Sequence, residues 1–143
     1  MINRPTQSLT LHASGAETAS GNSGAVLLPS VQGQIMLVEV NVSAASGTTP
    51  TLDLYFQESL DNGATFKDVA HFTQITTTTA SPVYLKLGLG NNAITDAVVG
   101  AIGDATVAAG QLGLPVISGV LRLKWVIGGT TPSFTFASTA YIQ

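Results

Sequence analysis

Apolar and polar side chains alternate strictly in four stretches of the chain. In "QIMLVEVNVSAA", Met36, Val38, Val40 and Val42 share one face, with Glu39 and Asn41 on the other. A period of two is that of a strand with one face against a core. In "TLDLYFQES" the inward set is Leu52, Leu54 and Phe56, opposed by Asp53, Tyr55 and Gln57. Between the two lies "SGTTP", where Gly47 and Pro50 signal a turn, so the pair is predicted to form a hairpin. Near the C-terminus "VLRLKWVI" sets Leu121, Leu123, Trp125 and Ile127 against Arg122 and Lys124, then "GGTTP" precedes "SFTFAS" with Phe134 and Phe136 inward. The echo between Gly47–Leu54 and Gly129–Phe136 reads either as two similar hairpins facing each other or as convergent turn chemistry.

Weaker alternation predicts further strands at Ser8–Ser14, Ala25–Leu28, Thr65–Phe72 and Val83–Leu87. About eight short strands separated by Gly, Pro, Asn and Ser turns predict an all-β fold, an antiparallel β-sandwich or a jelly-roll-like barrel. Residues 8–143 are expected to form this one domain after an N-terminal arm, residues 1–7. One segment breaks the pattern. In Asn91–Pro115, Ile94, Ala97, Val98, Ala101 and Ile102 repeat at helical spacing behind Asn92 as an N-cap. Gly100 and Gly103 oppose a helix, at on the order of 1 kcal/mol each relative to Ala. The region is predicted to be a long excursion with at most a short helix, and excursions of this length are usually functional or mobile.

Composition narrows the function classes. Only 9% of the 143 residues are charged and 45% are hydrophobic, against about 25% charged in ordinary soluble domains. A surface so poor in charge predicts coverage by copies or partners. The formal charge of −3 and the scattered Arg4, Lys67, Lys86, Arg122 and Lys124 give no footprint for nucleic acid. No apolar run approaches the roughly 20 residues needed to cross a bilayer, and the start lacks a signal-peptide core. Synthesis in a cytoplasm, with no membrane partner, is the expectation. The absence of cysteine excludes disulfides and thiolate metal sites.

The octet "SLDNGATF", Ser59–Phe66, fits the Asp-box pattern of sialidases, S-x-D-x-G-x-T-aromatic. Such boxes recur along a propeller, and a chain with one copy is too short for several four-stranded blades. Asp61, Asn62 and Gly63 are therefore assigned to a structural hairpin turn, in which the Asp side chain binds backbone N–H groups and Asn-Gly takes positive φ. His12 and His71 have no metal-like spacing. Asp53, Glu58, Asp61 and Asp68 match no calcium loop and are assigned solvated or turn roles. The glycines form no phosphate loop, and "GNSGA" around Ser23 is not a nucleophile elbow. No catalytic constellation, cofactor site or metal site is predicted. Trp125 is assigned to the core; Tyr55, on the outward alternation, is the better candidate for a contact surface.

Taken together, the S-G-T-T-P turn, the D-N-G hairpin and the "WVIGGTTPSFTF" close resemble small virion structural proteins of tailed bacteriophages. The resemblance covers most of the chain outside Met1–Gln7 and Asn91–Pro115. It is closest in type to capsid decoration, or cement, proteins. It implies a β-sandwich, often trimeric, that binds the major capsid protein on the outer capsid surface and reinforces the shell, with no catalytic residues. On this reading the arm (Met1, Ile2, Asn3, Arg4), Tyr55, and Ile94, Val98 and Ile102 of the excursion are expected contacts. The competing expectation is a carbohydrate-binding or adhesin module of a phage fibre, using Tyr55 and neighbouring loops.

Overall fold

The structure is a computed structural model that describes residues 7–28, 35–79, 81–88, 102–113 and 118–143. It is all-β, with no helix among the described residues. Seven strands form a single antiparallel sheet: β1 (Gln7–Glu17), β2 (Gly21–Asn22), β3 (Val26–Leu27), β4 (Ile35–Glu58), β5 (Lys67–His71), β6 (Val83–Gly88) and β7 (Val120–Ile142). The sheet does not close into a barrel.

The two predicted hairpins are not hairpins. Each pair of segments is one continuous strand, β4 of 24 residues and β7 of 23, and the two lie antiparallel along their whole length, from Met36 opposite Ile142 to Glu58 opposite Leu121. On one flank β1, β2 and β3 follow β7 in succession. On the other, β5 and β6 follow β4, joined by a segment in which Ile75 bonds Leu52 and Thr79 bonds Val42.

A straight strand would place Trp125 and Phe136 about 36 Å apart, yet their rings meet edge to face with centroids 5.6 Å apart. The sheet is therefore folded over on itself, in the manner of a sandwich. One half holds β1, β6, the start of β4 and the end of β7; the other holds β2, β3, β5, the end of β4 and the start of β7. The fold lies at the two G-T-T-P segments, where Thr48 pairs with Thr130. Backbone φ there is +112° at Gly47, +47° at Thr49, +108° at Gly129 and +48° at Thr131. The echo in the sequence is thus two matched corners set against each other. Turn-forming residues inside a paired strand produce a bulge and a bend. Register shifts at Val42/Ala44, Ser46/Thr48 and Thr48/Thr51 take up the extra residues.

The alternation of the sequence supplies the core between the halves. Met36, Val38, Val40, Val42, Phe134 and Phe136 from one half and Leu52, Leu54, Phe56, Leu121, Leu123 and Trp125 from the other form one buried cluster. Trp125 meets its polar requirement by donating from Nε1 to Ala19 O at 3.1 Å, as a buried indole must. At the corner, a Cβ on Gly47 would lie 2.8 Å from Thr131 O and one on Gly129 2.7 Å from Thr49 O. Gly47→Ala and Gly129→Ala are each expected to cost about 3 kcal/mol or more, from contact and backbone strain together. Gly24→Ala, at φ +75° but in open space, should cost about 1 kcal/mol. Urea unfolding of the three variants provides the comparison.

Candidate functional site

The outer faces of the two half-sheets differ, and that difference defines the candidate site. The face of the half holding β5 is covered by residues 102–113. Asp68, fully buried on β5, holds this segment by its backbone. Its Oδ1 accepts from Ala105 N at 2.9 Å, and its Oδ2 accepts from Thr106 N at 2.7 Å and Val107 N at 2.9 Å. Opposite it in register, buried Gln57 donates from Nε2 to Asp68 Oδ1 and to Asp104 Oδ1, both at 2.7 Å. Gln57 Oε1 accepts from Arg122 Nε at 2.7 Å. Asp104 also meets Lys124 Nζ at 2.9 Å and Arg122 at 3.3 Å. Burial pushes the Asp104 carboxyl up, but the hydrogen bonds from Gln57 and Lys124 and the charges of Lys124 and Arg122 outweigh it and hold it below the usual range.

This cover corrects two sequence expectations. Tyr55 does point to the face opposite Leu54 and Phe56, but that face is roofed, and Tyr55 is 8% exposed, stacked on His71 with centroids 3.9 Å apart. It is not a surface residue. Burial, then the charges of Asp53 and Asp68, raises its phenol above the ordinary value. Asp68 and Glu58 are likewise buried, not solvated; Glu58 Oε2 accepts from Ser118 N at 2.9 Å. No local pattern announces the role of Asp68, because the backbone donors it holds lie 37 to 39 residues further on. Ile102 sits half-buried at the start of the cover. Met1, Ile2, Asn3, Arg4, Ile94 and Val98 lie outside the described residues, as does the proposed helical stretch up to residue 101.

Neither histidine offers a free ring nitrogen. His71 donates from Nδ1 to Val107 O at 2.7 Å and contacts Asp53 Oδ1 through Nε2 at 3.1 Å. His12 donates from Nδ1 to Phe136 O at 3.1 Å and contacts Glu17 Oε1 at 3.0 Å, with its ring stacked on Phe136. A general base needs an accessible lone pair near the proton it takes, and both imidazoles are committed to tying elements together. Among the described residues no group of three or more His, Asp or Glu side chains is placed to hold a metal ion.

The Asp-box octet is a turn between β4 and β5, with Glu58 paired to Lys67. Asn62 and Gly63 adopt φ of +58° and +93°. Ser59 Oγ donates to Asp61 Oδ1 and accepts from Gly63 N, both at 2.7 Å. Thr65 donates to Asp61 twice, from N at 2.7 Å and from Oγ1 at 2.6 Å. Phe66 is buried beneath the Arg122 guanidinium, 4.0 Å from its ring centroid, a cation–π contact.

Among the described residues, nothing covers the other outer face, on the half holding β6. Cross-strand neighbours form rows across it: Ser8, Tyr141, Leu37 and Lys86 in one, and Thr10, Thr139, Glu39 and Tyr84 in the next. Side chains directly opposite on one face interact as pairs. Ile35, Leu37, Lys86, Tyr141 and Gln143 line a shallow groove of about 330 Å³ there. Tyr84, 53% exposed, bonds Glu39, which together with partial burial and the Glu39 charge raises its phenol. Period-two alternation placed Glu39 outward; that Leu37, an apolar residue of the same parity, and Tyr84 and Tyr141 join it on one face is a finding of the structure. Known protein families, curated proteins and solved structures were all compared with the chain, and none matches it.

Asp68→Ala strands three backbone donors and is expected to cost about 3 kcal/mol while opening residues 102–113 to limited proteolysis. Asp61 makes a separate, pH-dependent prediction. Hydrogen bonds from the Thr65 side chain and backbone and from Ser59 lower its pKa to about 2, from roughly 3.9 in an unfolded chain. The stabilisation is complete above the unfolded value and is lost as pH falls through the folded one. Asp61→Asn should therefore lower the melting temperature at pH about 5 and flatten its decline between pH about 4 and 2.

Proposed function

We propose that this chain is a non-enzymatic structural protein of a tailed-bacteriophage virion, which decorates the outer capsid surface and stabilises the shell by binding the major capsid protein. The reading rests on the resemblance carried by its turn and strand motifs and on its scarcity of charge. The structural observation that carries it furthest is the open face. Among the described residues, two tyrosine rings and two aliphatic side chains stand there with Glu39 and Lys86 as the charges, on a four-stranded support. Interfaces concentrate their affinity in such aromatic and aliphatic centres, with charged groups depleted there. The committed histidines and the buried, fully bonded polar network support a structural role over a chemical one. Self-association is part of the proposal, with a trimer as the form the resemblance suggests.

Exposed Tyr84 beside Tyr141 favours a second reading, a glycan-binding fibre module, since aromatic faces flanked by polar groups also suit sugars. Co-sedimentation with undecorated capsids separates the two. The parent protein should bind at a copy number comparable to that of the capsid subunits, and Leu37→Lys, on an outward position, should weaken binding about tenfold or more with its melting temperature nearly unchanged. Native mass spectrometry should find an oligomer. A monomer that ignores capsids and is retained by a glycan matrix would overturn the proposal in favour of the second reading.

A further inference from the structure

Asn62–Gly63 is the chain's single Asn-Gly dipeptide, and its geometry in the Asp-box turn bears on a reaction that the turn's structural role does not use. An asparagine followed by glycine is prone to self-modification, because glycine has no side chain to shield its backbone nitrogen. In that reaction Gly63 N gives up its proton and attacks Asn62 Cγ. The N–Cγ bond closes a succinimide ring, the Cγ–Nδ2 bond breaks, and ammonia leaves. Water then opens the ring at one carbonyl or the other, giving an aspartyl or an isoaspartyl residue. Water is the sole co-reactant, and no oxidant or reductant is needed.

The fold holds the nucleophile out of this reaction. Gly63 N donates to Ser59 Oγ at 2.7 Å, and Ser59 Oγ is itself oriented by its 2.7 Å bond to Asp61 Oδ1. Asp61 is anchored in turn by both donors of Thr65. Asn62 and Gly63 adopt the positive φ of this turn, and turning the Gly63 N–H away from the Ser59 hydroxyl toward the Asn62 amide breaks the bond that holds it. Asn62 is exposed, so water and base reach it freely; the restraint is conformational. We propose that Asn62 is a latent modification site, kept silent by the Ser59 hydroxyl and converted to aspartate and isoaspartate whenever the turn opens. Conversion adds a negative charge next to Asp61, and the isoaspartyl product also adds a methylene to the backbone of a turn whose bonds are closely matched. The product therefore opposes reclosure and preserves a covalent record of opening.

The test incubates the full chain in mildly alkaline buffer, native and in urea, and follows Asn62 by ion-exchange chromatography and peptide mass spectrometry. The folded chain is expected to convert at least about tenfold more slowly than the unfolded one, as for any reaction that requires local opening. Ser59→Ala, confirmed as folded by its melt, should convert several-fold faster than the parent. Thr65→Val loosens the same turn but keeps the acceptor for Gly63 N, and should stay closer to the parent. Ser59→Thr, which retains the hydroxyl, should restore the slow rate. Should Ser59→Ala not fold, hydrogen exchange at the Gly63 amide of the parent, across urea concentrations below unfolding, serves instead: exchange and conversion should rise together. Equal rates in folded and unfolded chains, Ser59→Ala no faster than Thr65→Val, or conversion that ignores Gly63 exchange would each overturn the proposal.

Discussion

Everything in this molecule depends on the corner at which two long strands bend together. Gly47 and Gly129 each lie against the T-T-P backbone of the other strand, at separations that leave no room for a Cβ. Four residues in the left-handed region, two of them threonines, cluster there. A β-branched residue at positive φ is strained, and the strain persists because the paired, buried segments flanking the exposed corner, Val42 and Phe134 on one side and Leu52 on the other, over-determine it. If the sheet ran straight, Trp125 and Phe136 could not meet, and each half would expose its apolar face.

Which parts of this the sequence disclosed follows from the range of each interaction. Inward and outward faces were legible at Met36–Val42, Leu52–Phe56 and Leu121–Trp125, because alternation is a property of neighbouring residues. The corner was visible as G-T-T-P but misread as a pair of hairpin turns. Gly and Pro punctuate a chain alike whether the strand reverses or bends, and only the partner strand decides which. Tyr55 shows the same limit: its face was assigned correctly, while its cover comes from Val107 and its neighbours, placed by Asp68 through backbone bonds that no local motif signals. The candidate open face was legible in part, in Glu39, and otherwise dependent on β6 and the end of β7 lying beside β4.

The buried polar groups divide the labour with the core. The hydrophobic cluster drives the halves together, but Gln57, Asp68 and Asp104 determine which loop covers which face. Bonded as fully as they are here, such groups contribute definition more than net stability. His71 acts at this same cover and His12 at a separate seam, each tying a carbonyl and a carboxylate while stacked on an aromatic ring. The outcome, among the described residues, is one half-sheet roofed and one left open, an asymmetry imposed on two halves that bend at the same pair of corners.

The continuity of β7 has a consequence for the order of synthesis. This strand leaves the ribosome after all the others, yet it is a central one, the partner of β1, β2, β3 and β4. Until it emerges, β1, β2 and β3 lack the strand that each pairs with among the described residues, and β4 lacks its principal neighbour. Pairings this distant in sequence make for slow folding, since chain closure must precede the contacts that reward it. The growing chain therefore passes through a stage in which the apolar faces of β1 and β4 have been made while the strand that joins them into one sheet, and supplies Trp125, Phe134 and Phe136 to the core, has not.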